Sequence, residues 1–548
     1  MRQIIASVVV LVGVGVFGGC SSDQKLGFNS DGQSTETGQQ AVGVVFNDRN
    51  SNGRRDAGEP GIHGVSVSNG TDVVVTDNRG RYTIPVTDDT VIFVIKPSGW
   101  MTPLSEQNSP RFYYVHKPNG SPSLEFAGVE PTGPLPDSVD FPLCRQDEPK
   151  RFRAILFGDP QPASKQDVYY LAHDIVEELV GYDASFGVSL GDIVGNKLDL
   201  FQTVNEVIGH VGLPWYSVIG NHDLNFDASD DKYSDETYER VYGPSHYAFN
   251  WGKVHFIALD DVLWMTAEQL NRKKGGYRGE IGEAQLKFVE NDLKTVPKDR
   301  LVVMMMHIPL DDVRDHGKLL ALLEGRPHTF SMSAHRHVQH HHFLGGDHEH
   351  SHEHAHGESE GHHHFVNATT SGSWWKGELD EENIPHTTMR DGAPNGYSII
   401  TFDGSEYSIR FKAARRPVDH QMTIYAPDEV TAANASKTEI IVNVFAGTVR
   451  SKVEMRLDED GEWMPMTQVE RDDPYYLDMK KREERLGDLA RKMPKIIKSE
   501  HIWTANLPED ASLGSHLIQV RTTDMFGQTY TDQRVIAIRA TEAETKLD

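Results

Sequence analysis

In SFGVSLGDIVGN (185–196) and WYSVIGNHD (215–223), an apolar, strand-like run stops at a glycine and hands over to a short polar loop. The same arrangement recurs in RAILFGDPQ (153–161), and strand-like runs without the glycine precede His307 in LVVMMMHIPL (301–310) and AHRH (334–337). Helix-like stretches at 164–180 and 283–295 alternate with these runs, so the chain from about 150 to 415 reads as α/β. Open α/β sheets hold ligands in the loops that follow their strands. The side chains in those loops are therefore candidate site residues: Asp159, Gln161, Asp192, Asn221, His222, Asp223, His307, His335 and His337. Taken singly, an Asp or His after a strand is an ordinary feature of many folds.

On either side the pattern becomes all-β. Residues 41–147 contain short β-rich runs, such as VSVSNGTDVVVTDNRGRYTIPV (65–86), broken by Gly, Asn, Asp and Pro turns, which predicts a small sandwich. Residues 418–548 return to strands without helices, predicting a second sandwich, interrupted by the charged, helix-like insertion DMKKREERLGDLARKM (478–493). Near the start of the first sandwich, DRNSNGRRDAGE (48–59) places Asp48, Asn50, Asn52, Arg54, Asp56 and Glu59 at loop positions 1, 3, 5, 7, 9 and 12, with Gly53 at 6. Hard oxygen donors alternating around a glycine turn, closed by a carboxylate at position 12, suit Ca²⁺. The following PGIHGVSV is β-like, so this is no helix–loop–helix hand; it resembles the calcium-binding B-type repeats of bacterial surface adhesins. The alternative is a polar turn joining two strands.

Together and in this order, GDPQ, GDIVGN, GNHD, the lone His307 and AHRH resemble the motifs of the metallophosphoesterase (calcineurin-like phosphoesterase) family, DxH, GDxx, GNHD/E, H and GHxH. The resemblance implies a four-layer αββα sandwich over 148–417, flanked by the two β-sandwiches, and a phosphate mono- or diester as substrate. It also implies a pair of divalent ions (Mn, Fe, Zn or Mg) bridged by Asp192. Asp159, Gln161 and His337 would complete one site, and Asn221, His307 and His335 the other. His222 would stay uncoordinated, to stabilise charge or protonate the leaving oxygen, with Asp223 orienting it. The implied reaction is in-line attack by a hydroxide bridging the two ions. Two positions depart from the common pattern. Gln161 replaces a His, trading imidazole for an amide oxygen that favours a harder ion, and marks a subgroup with a GDPQ first motif. Ala334 replaces a Gly.

Of the 27 histidines, thirteen fall within 335–364, and apart from His335 and His337 they lie in a polar, Gly-rich insertion (338–364) that reads as a mobile surface loop able to bind Zn²⁺, Ni²⁺ or Cu²⁺, or as low complexity without a role. Beyond it, Trp374 and Trp375 are candidates to wall a substrate pocket and Arg390 to pair with phosphate; the alternative is that all three are structural. Rival functions are a histidine-rich, metal-scavenging surface lipoprotein with a vestigial phosphoesterase domain, or a calcium-dependent surface scaffold.

With 81 acidic against 54 basic residues, a formal charge of −27 opposes nonspecific nucleic-acid binding. Two cysteines exclude a disulfide framework. Arg2, the apolar run Ile4–Phe17, Gly18, Gly19 and Cys20 read as an export signal of residues 1–20, too short for the roughly 20 apolar residues of a membrane span. Its end resembles a bacterial lipoprotein signal, with Phe17 where Leu is usual. That implies lipidation of Cys20, a flexible tether over 21–40, and a cell-envelope location, periplasmic or surface-exposed.

Overall fold

Strict alternation in RYTIPV (81–86), where every second side chain is buried, marks a strand with one face to a core and one to water. In the computed structural model, which describes residues 38–345, 361–487 and 491–540, this strand belongs to a sheet ordered 81–86, 39–47, 141–145, 100–101. A second sheet runs 73–75, 66–68, 90–94, 113–116. Val45, Val67, Ile84, Ile92 and Leu143 are among the fully buried residues of this sandwich. Cys144, half-buried, places its Sγ 3.3 Å from the Asp48 carbonyl; Cys20 lies outside the described residues.

The central region carries two sheets. Strands Trp215–Val218, Phe186–Leu190 and Arg151–Phe157 run parallel, and Gly396–Asp403 and Glu406–Ala413 extend the sheet antiparallel. The other sheet is ordered 247–251, 254–258, 301–305, 329–333, 362–366, 340–344, with its four middle strands parallel. Phe186–Leu190, Val254–Ala258 and Leu301–Met305 are buried along their whole length, as parallel strands covered on both faces must be. Between the sheets Phe186 meets Phe256 edge-on at 5.3 Å, and Phe256 meets Phe402 at 5.4 Å. Helix Phe201–Gly209 buries Phe201, Val204 and Ile208 on one stripe, and Glu283–Leu293 buries Leu286, Phe288, Val289 and Leu293. The 164–180 stretch is helical but not uniformly so. Ser164 caps an α-helix that runs from Lys165 to Leu171, and a π turn follows over Ala172–Val176. In that turn Asp174 is buried and accepts from Asn395 and Arg415, each at 2.7 Å.

The C-terminal region is a sandwich of sheets ordered 422–425, 439–444, 499–506, 467–471 and 429–431, 529–539, 514–523, 452–457, 464–465. Its charged insertion forms helix Pro474–Leu486, with Asp473 accepting from the Tyr476 amide at 2.8 Å and Pro474 at the first position. The described residues from Gln40 onward form one compact unit. Among the described residues, no helix is long and apolar enough to cross a membrane.

The ends of the histidine tract differ from the expected loop. His340–Leu344 and His362–Val366 pair as antiparallel strands at the edge of the six-stranded sheet. The buried imidazole of His364 is tolerated there because both its nitrogens are satisfied. His364 meets Ser331 Oγ at 2.7 Å and Ser333 Oγ at 2.9 Å, and accepts from the Leu310 amide. Residues 346–360 of the tract lie outside the described residues.

Candidate metal centre

The predicted metal ligands and His222 sit in loops that leave the ends of parallel strands, and Trp374, Trp375 and Arg390 share the long connection that follows strand 362–366. Asp159, Gln161, Asp192, His335 and His337 all have positive φ, of 43°, 43°, 50°, 71° and 56°. That backbone region is unfavourable for non-glycine residues, and strain of this kind clusters where surrounding structure forces side chains to converge. Two glycines make the convergence possible. A Cβ on Gly191 would lie 2.3 Å from His307 Nδ1, and one on Gly220 would lie 2.1 Å from the Asp192 amide nitrogen.

The converging atoms surround His307 Nε2, with Asn221 Oδ1 at 3.0 Å, His335 Nδ1 at 3.1 Å and Asp192 Oδ1 at 3.3 Å. On the other side of Asp192, Gln161 Nε2 donates to Oδ2 at 2.9 Å. His337 Nε2 stands 3.8 Å from Asp159 Oδ1. Backbone carbonyls aim two of the imidazoles: Leu190 takes His307 Nδ1–H at 2.9 Å and Gly372 takes His337 Nδ1–H at 2.5 Å, leaving each Nε2 facing inward.

The electrostatics of this cluster call for added positive charge. Burial, reinforced by Asp192, pushes Asp159 well above the usual carboxyl range. Burial acts on Asp192 in the same sense, but His307, His222 and His335 hold it below its ordinary value. Burial works against a charged His307, yet Asp192 and Asp159 pull it up to about 10. Burial lowers His335 and His337 to about 3, keeping both neutral. Asp159 Oδ1 and Gln161 Oε1 are buried and have no hydrogen-bond partner among the described residues. Asp192, His307 and His335 form one of the groups there able to hold a metal ion. Neutral imidazoles, carboxylates, an amide oxygen and nitrogen–oxygen separations near 3 Å are the donor set and spacing of ligands sharing small divalent ions.

His222 is 31% exposed at its side chain, its amide bonded to Asp192 Oδ1 at 2.8 Å and its Nε2 3.9 Å from Asp192 Oδ2. The residue that orients it is not Asp223. Asp223 is fully buried and accepts from the amides of Ile193, Val194 and Gly220 at 2.9–3.1 Å, tying two loops together. Burial and nearby Asp192 push it up to about 8. Asn196 instead meets His222 Nδ1 at 2.6 Å. It stands at the end of GDIVGN, and its position in that motif is the only signal the sequence offers for it.

Trp375 does not wall a pocket. It is fully buried, and its indole N–H donates to the Pro160 carbonyl at 2.8 Å, supporting the Asp159 loop from behind. Trp374, half-exposed, stacks on His337 with ring centroids 3.7 Å apart. The Arg390 amide donates to the His337 carbonyl, and its Nε donates to the Lys495 carbonyl at 3.1 Å. In the N-terminal domain, Asp48 and Glu59 are buried within their loop. Asp48 accepts from the Asn52 and Gly53 amides, Glu59 from those of Arg49 and Asp56, and Asn50 and Asn52 donate to Asp56. Arg54 is exposed.

Two family models match the chain: the N terminal of calcineurin-like phosphoesterase over residues 49–129 and the C terminal of calcineurin-like phosphoesterase over residues 364–530. No curated protein matches. Among solved structures, the chain is similar to the purple acid phosphatase PPD1 from yellow lupin (Lupinus luteus) seeds, at 11% identity, 68% of this chain, 67% of that chain and a TM-score of 0.33. It is also similar to CopC from Methylosinus trichosporium OB3b, at 16% identity, 22% of this chain, 89% of that chain and a TM-score of 0.12. The chain thus carries matches to both terminal parts of calcineurin-like phosphoesterases, on either side of the residues that form the metal centre, and these support a metal-dependent phosphoesterase.

Proposed function

We propose that the chain hydrolyses a phosphate mono- or diester at a dinuclear centre. Asp159, Gln161 and His337 hold one divalent ion, Asn221, His307 and His335 the other, and Asp192 belongs to both. The observation that carries this reading is the buried convergence of these donors, with Asp159 Oδ1 and Gln161 Oε1 left without partners among the described residues. Divalent ions bound there supply the acidity that ionises water and positive charge for the phosphate oxygens.

The chain's own side chains do the rest. Asn196 holds the His222 ring so that Nε2 points toward Asp192, where it donates to a phosphate oxygen or gives its proton to the leaving oxygen. Trp374 offers an aromatic face beside His337 to the leaving group, and Arg390 has guanidinium N–H groups to pair with phosphate. Asp223 and Trp375 keep the loops in place. Protein reconstituted with Mn²⁺, Mg²⁺, Fe²⁺ or Zn²⁺ should release phosphate or alcohol from aryl phosphate mono- or diesters. Asp192→Asn should abolish that release; no turnover with any of these ions would refute the proposal.

The signal-like run ending at Cys20 supports an exported, lipid-anchored enzyme of the cell envelope, and the Asp48–Glu59 loop supports a structural Ca²⁺ in the N-terminal domain.

A further inference from the structure

A second group of ligand atoms converges where the six-stranded sheet meets the C-terminal region. His340 and His342 are two residues apart on the edge strand, so both rings fall on one face; their centroids are 5.5 Å apart. Glu500, on strand Ser499–Asn506, faces them. His342 Nε2 lies 3.3 Å from His340 Nδ1, and Glu500 Oε1 lies 3.8 Å from that same nitrogen. The three residues offer ligand atoms within 4.8 Å of one another.

Several features separate this group from a chance pair of histidines. Two nitrogens bound tetrahedrally to one ion at about 2.0–2.1 Å stand about 3.3 Å apart, which is the observed spacing. The other nitrogen of His342, Nδ1, faces Asp311 Oδ2 at 3.5 Å. A carboxylate in that position fixes the tautomer of a metal-binding imidazole and directs its free nitrogen to the ion. One buried carboxylate also pins the backbone on both sides. Asp391 accepts from the Gln339 amide at 2.8 Å and meets His501 Nε2 at 3.1 Å, and Gln339 and His501 are the chain neighbours of His340 and Glu500. His340 is buried, with 9% of its surface exposed.

We propose that His340, His342 and Glu500 form a Zn²⁺ site separate from the phosphoesterase centre, clamping the edge hairpin to the C-terminal sandwich. Two imidazoles and a carboxylate are borderline-to-hard donors suited to Zn²⁺. Glu500, with 53% of its side chain exposed, reaches the ion by rotating its own bonds, and water takes the fourth position. Asp311 Oδ2 also receives Arg336 at 2.9 Å, so the site stands two side chains away from the loop bearing His335 and His337.

The test uses the full chain carrying Asp192→Asn to disable the phosphoesterase centre, stripped with EDTA and titrated with Zn²⁺ against a chromophoric chelator. Thermal melts with and without Zn²⁺ accompany the titration. Glu500→Gln and His342→Ala should each weaken one tightly held equivalent by at least about tenfold and remove the Zn²⁺-dependent rise in Tm. Their melts in EDTA should match the parent, showing intact folding. His352→Ala, elsewhere in the histidine tract, should change neither readout. Tight binding retained in either variant, or lost equally in His352→Ala, overturns the site.

Discussion

Replacing Asn196 with glycine should separate the orientation of His222 from every other feature of the centre. Asn196 has φ of 63°, which glycine adopts without strain, so the substitution removes a side chain and leaves the backbone in place. With that side chain goes the 2.6 Å hydrogen bond to His222 Nδ1. Because the His222 side chain is 31% exposed, water replaces that partner, and the bond itself is worth about 0.5–1.5 kcal/mol, or roughly 2- to 13-fold. Freed of it, the ring also rotates and Nε2 leaves its place facing Asp192, so the full loss should reach about 10- to 100-fold, as for other residues that orient a working side chain. Steady-state hydrolysis of an aryl phosphate should show this loss in kcat, with KM and metal content little changed. Asn196→Asp, which keeps an oxygen acceptor, should recover most of it. A kcat for Asn196→Gly within about twofold of wild type would refute the reasoning.

Gly220→Ala should displace Asp192, because the new Cβ would sit 2.1 Å from its amide nitrogen and 2.4 Å from Oδ1. Metal content, read by mass spectrometry, should drop and the rate fall by more than about 100-fold; full metal loading at wild-type rate would sink this. Burial pushes Asp473 up to about 6, although Asn443, the Tyr476 amide and Tyr425 favour its charged form. A folded value above the unfolded value of about 3.9 means a contribution present at acid pH and lost as pH rises through about 6, some ~3 kcal/mol in all. The Tm of Asp473→Asn relative to wild type should therefore climb between pH 4 and 7, and parallel curves would contradict the assignment.

Much of the α/β region and the main metal-binding group can be read from local sequence. A strand followed directly by a short polar loop encodes both the loop and its donor within a few residues, and five such units in order, three of them with a glycine at the junction, name Asp159, Asp192, Asn221, His307 and His337. Partners that meet only across the fold cannot be read this way. Asn196 and His222 are separated by 26 residues, and Trp374 and His337 come together through a loop whose course depends on the sheet it leaves. Proximity to motifs points to Asp223 and Trp375, whereas burial decides their work: one binds amides of two loops, and the other supports a carbonyl behind the site. Composition marks 338–364 as polar, but serines on the neighbouring strand allow His364 to be buried, and Glu500 faces His340 from 160 residues away. Local pattern specifies which residues leave a strand together, because strand and turn geometry is short-range. Which side chains satisfy one another in the interior depends on sheet packing, which brings distant segments into contact and excludes the water that would otherwise serve them.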